Sequence, residues 1–209
     1  MKTWYDITPP ISEHLQVWPG DTPPSREMIL DMNAGANLTL STLHATVHLG
    51  AHADGPNHYG ADAPAIDQRD LHYYLGPAQV VRVDVPPATR ITIEMVTPAI
   101  EAPRVLFATQ TYPDPTAFNE DFAALAPELV RHLHDQGVIL IGIDTPSVDL
   151  FESRDLPAHK AFLAHDMAIL EGIVLDDVPE GIYELIALPL KLVGFDASPV
   201  RAILRTPSS

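Results

Sequence analysis

Four of the ten histidines of this chain fall between His44 and His58, in the run His44-Ala45-Thr46-Val47-His48-Leu49-Gly50-Ala51-His52-Ala53-Asp54-Gly55-Pro56-Asn57-His58. His44, His48, His52, Asp54 and His58 share one parity, so on an extended strand they would all project from the same face. A helix fits less well, because Asp54 would point away from His48 and His52, and Gly50, Gly55 and Pro56 disfavour helical continuation. A straight strand, however, would hold His48 and His52 about 13 Å apart, too far for two imidazoles to share an ion at bond lengths of about 2 Å. The chain must therefore bend near Gly50, where glycine supplies the freedom. Imidazoles and a carboxylate folded around one point repel or leave nitrogens unsatisfied unless a cation organises them, so the chemistry this segment predicts is metal binding. His48, His52 and Asp54 would hold one ion with positions left for water. Mixed imidazole and carboxylate ligation suits zinc first, then manganese, cobalt or iron.

A second ion would need ligands from elsewhere, and His159, His165, Asp166, Glu171 and Asp144 are the candidates that spacing leaves open. His159 and Glu171 are twelve residues apart, about 18 Å along a continuous helix, so they could share a site only if that helix ends or bends before Glu171.

The elements that must position these groups read as α/β. Short apolar, β-branched runs predict strands at Val80–Val85, Val105–Ala108, Val138–Ile143, Tyr183–Ala187 and Val200–Leu204. Apolar spacing predicts helices over Ala158–Leu170 and Asp121–Gln136, the latter with Pro127 inside its pattern. Strands interleaved with helices imply one domain spanning residues 1–209, with a mixed β-sheet flanked by helices and parallel in part of its second half.

Composition removes several classes of function. Twelve Lys and Arg against 28 Asp and Glu give a net charge of -16, which opposes binding to nucleic acid or to an anionic membrane surface. No cysteine is present, which excludes disulfides, thiolate metal sites and a cysteine nucleophile. The sequence carries no nucleophile-elbow serine, phosphate-binding loop, dinucleotide-binding glycine turn or His-Glu-x-x-His helix. Neither a signal-like opening nor an apolar run of about 20 residues is seen, so a soluble cytoplasmic protein is expected.

The run HLGAHADGPNH resembles the His-x-Gly-Thr-His-x-Asp-x-Pro-x-His motif of the cyclase-like metal hydrolases, with Ala51 in place of the threonine. WYDITPPIS, VWPGDTP with Trp18, GIDTPSVD, ILEG ending in Glu171 and Gly172, and the tail YELIALPLKLVGFDASPVRAIL extend the similarity to the bacterial kynurenine formamidase family over nearly the whole chain. The resemblance implies two zinc ions per chain. His48, His52 and Asp54 would bind one, His159 would help bind the second, and Asp54 and Glu171 would be shared. It implies that His58 is the acid/base, that Trp18 lines the substrate pocket, and that the assembly is a homodimer. It assigns His44 and His165 supporting or structural roles and places His14, His72, His132 and His134 on the surface. The implied reaction is hydrolysis of N-formyl-L-kynurenine to L-kynurenine and formate by metal-activated water, in tryptophan degradation. A hydrolase of another aryl or cyclic amide, isatin-like, and a non-catalytic metal-binding protein are the alternatives.

Overall fold

Val80 and Val81 are both buried but belong to different apolar clusters, as do Val105 with Leu106 and Leu140 with Ile141. Neighbours that alternate between two cores mark strands covered on both faces, which is why these stretches read as unbroken apolar runs. The computed structural model describes residues 4–207. In chain order its strands are β1 (Trp4–Asp6), β2 (Ser25–Leu30), β3 (Leu40–His44), β4 (His52–Asp54), β5 (Leu75–Arg82), β6 (Arg90–Ile91) and β7 (Arg104–Ala108). They continue with β8 (Ala124–Leu125), β9 (Leu140–Ile143), β10 (Ala168–Glu171), β11 (Gly181–Ile186), β12 (Ala197–Pro199) and β13 (Ile203–Arg205). Two α-helices, α1 (Pro127–Asp135) and α2 (Pro157–Ala164), interrupt the series.

Nine strands form one mixed sheet in the order β1-β13-β11-β5-β7-β9-β10-β4-β12. Its centre, β5-β7-β9-β10, is parallel, and antiparallel strands extend it on both sides. Both helices lie over one face, where Leu129, Val130 and Leu133 of α1 and Phe162 of α2 join Val81, Phe107, Ile141 and Ile169 of the sheet. The other face buries Ile7, Tyr74, Val80, Leu106, Leu170 and Leu204. This is the expected α/β architecture with a mixed sheet and flanking helices.

The boundaries differ where polar chemistry overrides apolar spacing. The helix expected over Ala158–Leu170 stops at Ala164, Asp166 turns the chain through a positive φ of 51°, and Ala168–Glu171 becomes a strand. The helix expected from Asp121 begins at Pro127, whose fixed φ suits the first helical turn. Of the run expected as a strand over Val200–Leu204, only Ile203 and Leu204 are in a strand, β13, and Val200–Ala202 link it to β12. The β2–β3 pair stands apart from the main sheet as a two-stranded ribbon. Among the described residues no helix is long and apolar enough to cross a membrane.

Candidate metal centre

The register of three strands builds the centre. Glu171 at the end of β10 lies opposite His52 at the start of β4, and on the other side of β4 Pro199 faces His52 while Ala197 faces Asp54. Since His52 and Asp54 are two residues apart, they and Glu171 project from the same face, the one the helices cover. Helix α2 then brings His159 onto that face. The bend required near Gly50 is present: Gly50 has φ of +56° and separates His48 from the strand that carries His52 and Asp54. Gly172, with φ of +64°, passes so close that a Cβ there would fall 2.3 Å from the Gly50 carbonyl oxygen. The bend and the end of β10 are thus locked together by backbone.

Five side chains converge. His48 Nδ1 lies 3.2 Å and His52 Nε2 3.6 Å from Asp54 Oδ1, and His52 Nε2 is 3.2 Å from Glu171 Oε2. His159 Nε2 is 3.6 Å from Asp54 Oδ2 and 3.8 Å from Glu171 Oε1. Two groupings have ligand atoms close enough for a common ion: His52 with Asp54 and Glu171, and His48 with Asp54 and His58. Asp54 belongs to both.

Each of the three inner histidines is held at its outward nitrogen. His159 Nδ1–H donates to Asp149 Oδ2 at 2.9 Å, His52 Nδ1–H to the Gly50 carbonyl at 2.9 Å, and His48 Nε2–H to Asp196 Oδ2 at 3.1 Å. Fixing one ring nitrogen sets the tautomer and turns the other nitrogen inward, the arrangement that supports a metal-bound imidazole. Glu171 is anchored as well, since Oε1 accepts from the Val148 amide at 2.7 Å.

His52 Nε2 and both carboxylate oxygens of Asp54 are buried with no hydrogen-bond partner. A carboxylate stripped of water and left unbonded costs several kcal/mol, so these atoms fit a cation as their missing partner. Burial opposes charge on the imidazoles, yet Asp54 and Asp196 raise His48 to about 9, and Asp149, Asp54 and Glu171 raise His159 to about 10. Burial also works against charge on Asp54, but His159, His48 and His52 hold its carboxyl well below the usual range. The centre is therefore strongly anion-rich and neutralises itself with protons where a cation would serve.

A cavity of about 300 Å³ opens over these groups. His48, His52, His58, His159 and Glu171 form its polar floor, and Trp18 stands in its wall. Trp18 packs within an aromatic group, with ring centres 5.8 Å from Phe118, 6.1 Å from Phe122 and 5.1 Å from Phe151. His58 is partly exposed, with its ring 4.3 Å from that of His48 and its Nδ1 3.6 Å from Asp196.

Of the other groups that spacing left open, Asp144 accepts hydrogen bonds from Thr109 and Gln110, and burial raises its pKa. Asp166 pairs outward with Arg69 and Tyr73. His165 packs its ring 4.5 Å from His134, away from the centre. His44 is exposed on β3 and bonded to Glu27, so it supports no site residue directly. His14 and His72 are exposed, while His132 and His134 are half-buried on α1. Sequence reasoning missed Asp149 and Asp196, which orient His159 and His48. Asp149 lies in the GIDTPSVD run, where a second acidic residue after the strand was the available signal.

Residues 5–150 match the family model described as a putative cyclase. A solved structure described as a potential metal-dependent hydrolase with cyclase activity is 30% identical over 100% of both chains, with a TM-score of 0.86. A predicted metal-dependent hydrolase from Bacillus stearothermophilus is 30% identical over 99% of this chain and 100% of that one, with a TM-score of 0.83. Isatin hydrolase A from Labrenzia aggregata, at 20% identity over 99% of this chain and 94% of that one, has a TM-score of 0.85 and shares the fold.

Proposed function

This chain belongs to the putative cyclase family, and on that premise we propose that it is a metal-dependent hydrolase that cleaves the formyl group from N-formyl-L-kynurenine. The observation that carries the metal-dependent reading is the buried, unbonded carboxylate of Asp54, which is common to both groupings of potential ligands. By the family resemblance His48, His52 and Asp54 would hold one divalent ion and His159 would help hold a second, with Asp54 and Glu171 shared between them and zinc the expected metal; the sharing of Glu171 is supported by its closeness to both His52 and Asp54. Bound there, such ions supply Lewis acidity, which makes water nucleophilic near neutral pH and polarises a carbonyl.

The chain's own residues do the rest. Asp149, Asp196 and the Gly50 carbonyl hold the three imidazoles in place, so little reorganisation is needed during turnover. The aromatic wall around Trp18 gives an aryl ring an apolar surface above the polar floor, which places a small acyl group over the ligands. His58 borders the cavity and is exposed enough to meet the leaving nitrogen, to which it would deliver a proton. No Lys or Arg is among the described residues lining the cavity, whereas Asp21 and Asp176 are. The amino acid arm of the substrate would accordingly be met through its ammonium group.

The deciding experiment compares kcat/KM of the zinc-loaded protein for N-formyl-L-kynurenine, formanilide, N-acetylkynurenine and isatin. Formylkynurenine should lead, because its arm adds remote binding energy and the acetyl methyl crowds the reacting carbon. Preference for isatin would reassign the substrate to a cyclic amide. Tight zinc binding with no turnover of any of the four would leave a binding protein.

A further inference from the structure

Four non-glycine residues among the described ones have a positive φ, and two of them, Gln110 at 57° and Leu156 at 45°, border the cavity. Backbone of that kind persists only where the surroundings hold it, and it gathers at sites that bind or react. Leu156 introduces the helix that carries His159. Gln110 has no such duty: it is an exposed residue two positions beyond the end of β7. Its loop is nonetheless firmly built. Asp144 Oδ2 accepts the Thr109 amide at 2.7 Å and the Gln110 amide at 2.9 Å, and Oδ1 accepts the Thr109 hydroxyl at 2.7 Å. On the far side Thr111 takes the Ala123 amide on its hydroxyl and Asn119 Nδ2 on its carbonyl, both at 2.8 Å. One acid and two threonines thus hold a glutamine in a conformation that glycine adopts at no steric cost.

The glutamine's own side chain is uncommitted. Apart from Trp18, the neutral hydrogen-bonding side chains around the cavity belong to Gln16, Gln110, Tyr112 and Ser147. Gln16 Nε2 donates to the His14 carbonyl at 3.2 Å, and Ser147 Oγ accepts the Asp149 amide at 3.1 Å. Among the described residues neither the Gln110 carboxamide nor the Tyr112 hydroxyl has a partner.

The sheet fixes where Gln110 stands. In the parallel strands β7, β9 and β10, Phe107 pairs with Ile143 and Gly142 with Leu170, so their C-terminal ends lie side by side. Ligands of α/β sheets bind along such an edge. Glu171 is at one end of this row, Asp144 in the middle and Gln110 at the other end, two strand spacings or about 10 Å away. An aryl amide with its acyl group over the metal ligands and a second polar group on the adjacent ring carbon, met by a glutamine side chain, spans that gap. No Lys or Arg borders the cavity among the described residues, so the donor available at this end is neutral. An uncharged carbonyl oxygen is what a carboxamide N–H satisfies.

We propose that Gln110 is a specificity-determining residue that donates its carboxamide N–H to a ketone oxygen on the ring carbon next to the amide nitrogen. The favoured substrate class is then an N-formyl aryl amine with an ortho ketone, whatever else the ketone carries. This rests on the aryl formamide reading above.

The test compares 2′-formamidoacetophenone with formanilide, which lacks the ketone, on the zinc-loaded protein. The acetyl group alters the reactivity of the amide equally in every variant, so a change in the ratio of kcat/KM values reports on the protein. Gln110→Gly keeps the backbone conformation and removes the donor; Gln110→Glu keeps the length but, ionised, only accepts. Each should lower the ratio at least 2- to 10-fold, about the range for one neutral hydrogen bond, and mainly through KM. Tyr112→Phe should not alter it. A binding readout stands apart from the reaction: by NMR titration the wild type should hold 2-aminoacetophenone more tightly than aniline, and Gln110→Gly should lose that margin. If no formamide is turned over while the margin is present and lost in Gln110→Gly, the formamidase reading fails and the Gln110 assignment stands. A ratio unchanged in both Gln110 variants, even where both rates fall, overturns the proposal. So does a wild type without the binding margin, a margin that survives Gln110→Gly, or a preference removed by Tyr112→Phe instead.

Discussion

Asp149 Oδ2 lies 2.9 Å from His159 Nδ1, and the same carboxylate accepts the amides of Ala158 and His159 in the first turn of α2. One buried aspartate thus caps the helix and sets the imidazole that the helix carries. Arg90 Nη1 completes its shell at 2.7 Å from Oδ1. Asp149→Asn keeps the shape but loses the charge and presents an amide donor to groups that are themselves donors. Cation affinity should fall about 10- to 100-fold, the usual cost of removing a partner behind a ligand. Chelator competition measures it, and unchanged affinity would mean that His159 takes no part in holding the ion.

His58 separates two descriptions of the centre. It lies within ligand range of His48 and Asp54, yet its outer position on the cavity floor suits proton transfer. His58→Ala should retain its zinc by elemental analysis and lose about 10²- to 10⁴-fold in kcat, the range for a missing general acid. Loss of metal together with activity would make His58 a ligand.

Metal uptake should be steeply pH-dependent. In the metal-free chain burial disfavours charge on His48 and His159, but the surrounding carboxylates raise them to about 9 and about 10. Raised histidine pKa values stabilise the metal-free fold fully below the unfolded value of about 6.5, and that gain is lost as pH climbs through 9 to 10. A cation must displace those protons. Its affinity should therefore rise with pH, by up to about 100-fold per unit while two protons are released. Titration calorimetry near neutral pH in buffers of different ionisation enthalpy should count nearly two protons per chain; heats independent of buffer contradict the assignment.

Gly172→Ala should damage the centre without touching a ligand. The new Cβ would meet the Gly50 carbonyl oxygen at 2.3 Å from a backbone held at φ of +64°, and no rotamer relieves a clash between backbone atoms. A loss of about 1–3 kcal/mol is expected. For a domain of this size that lowers Tm by roughly 2–12 °C. Cation binding should weaken as the His48 bend moves away from Glu171. A variant with normal Tm and normal binding would show that the two loops can part freely.

The parity of His48, His52, Asp54 and His58 and the need for a bend at Gly50 were legible because side-chain period and bond length are local constraints. Placement of Glu171 was not. Its run of apolar neighbours fits either a helix or a buried strand, and only pairing with β4 and β9 chooses the strand. Asp196 is further out of reach of spacing, because it meets His48 through β12 pairing with β4. The exposed β2–β3 ribbon escaped notice for another reason. Its apolar content resembles that of a core strand, and exposure is a property of the packed molecule.

The register that sets Glu171 and Pro199 on either side of His52 also bears on how the molecule assembles. Ligands drawn from widely separated parts of the chain meet only when β4 is inserted between β10 and β12, after long stretches of polypeptide have been closed into loops. Early in folding the cation therefore finds at most the local His48, His52 and Asp54, without His159 and Glu171. It should accelerate refolding little while slowing unfolding, so that metal loss and global opening share one barrier.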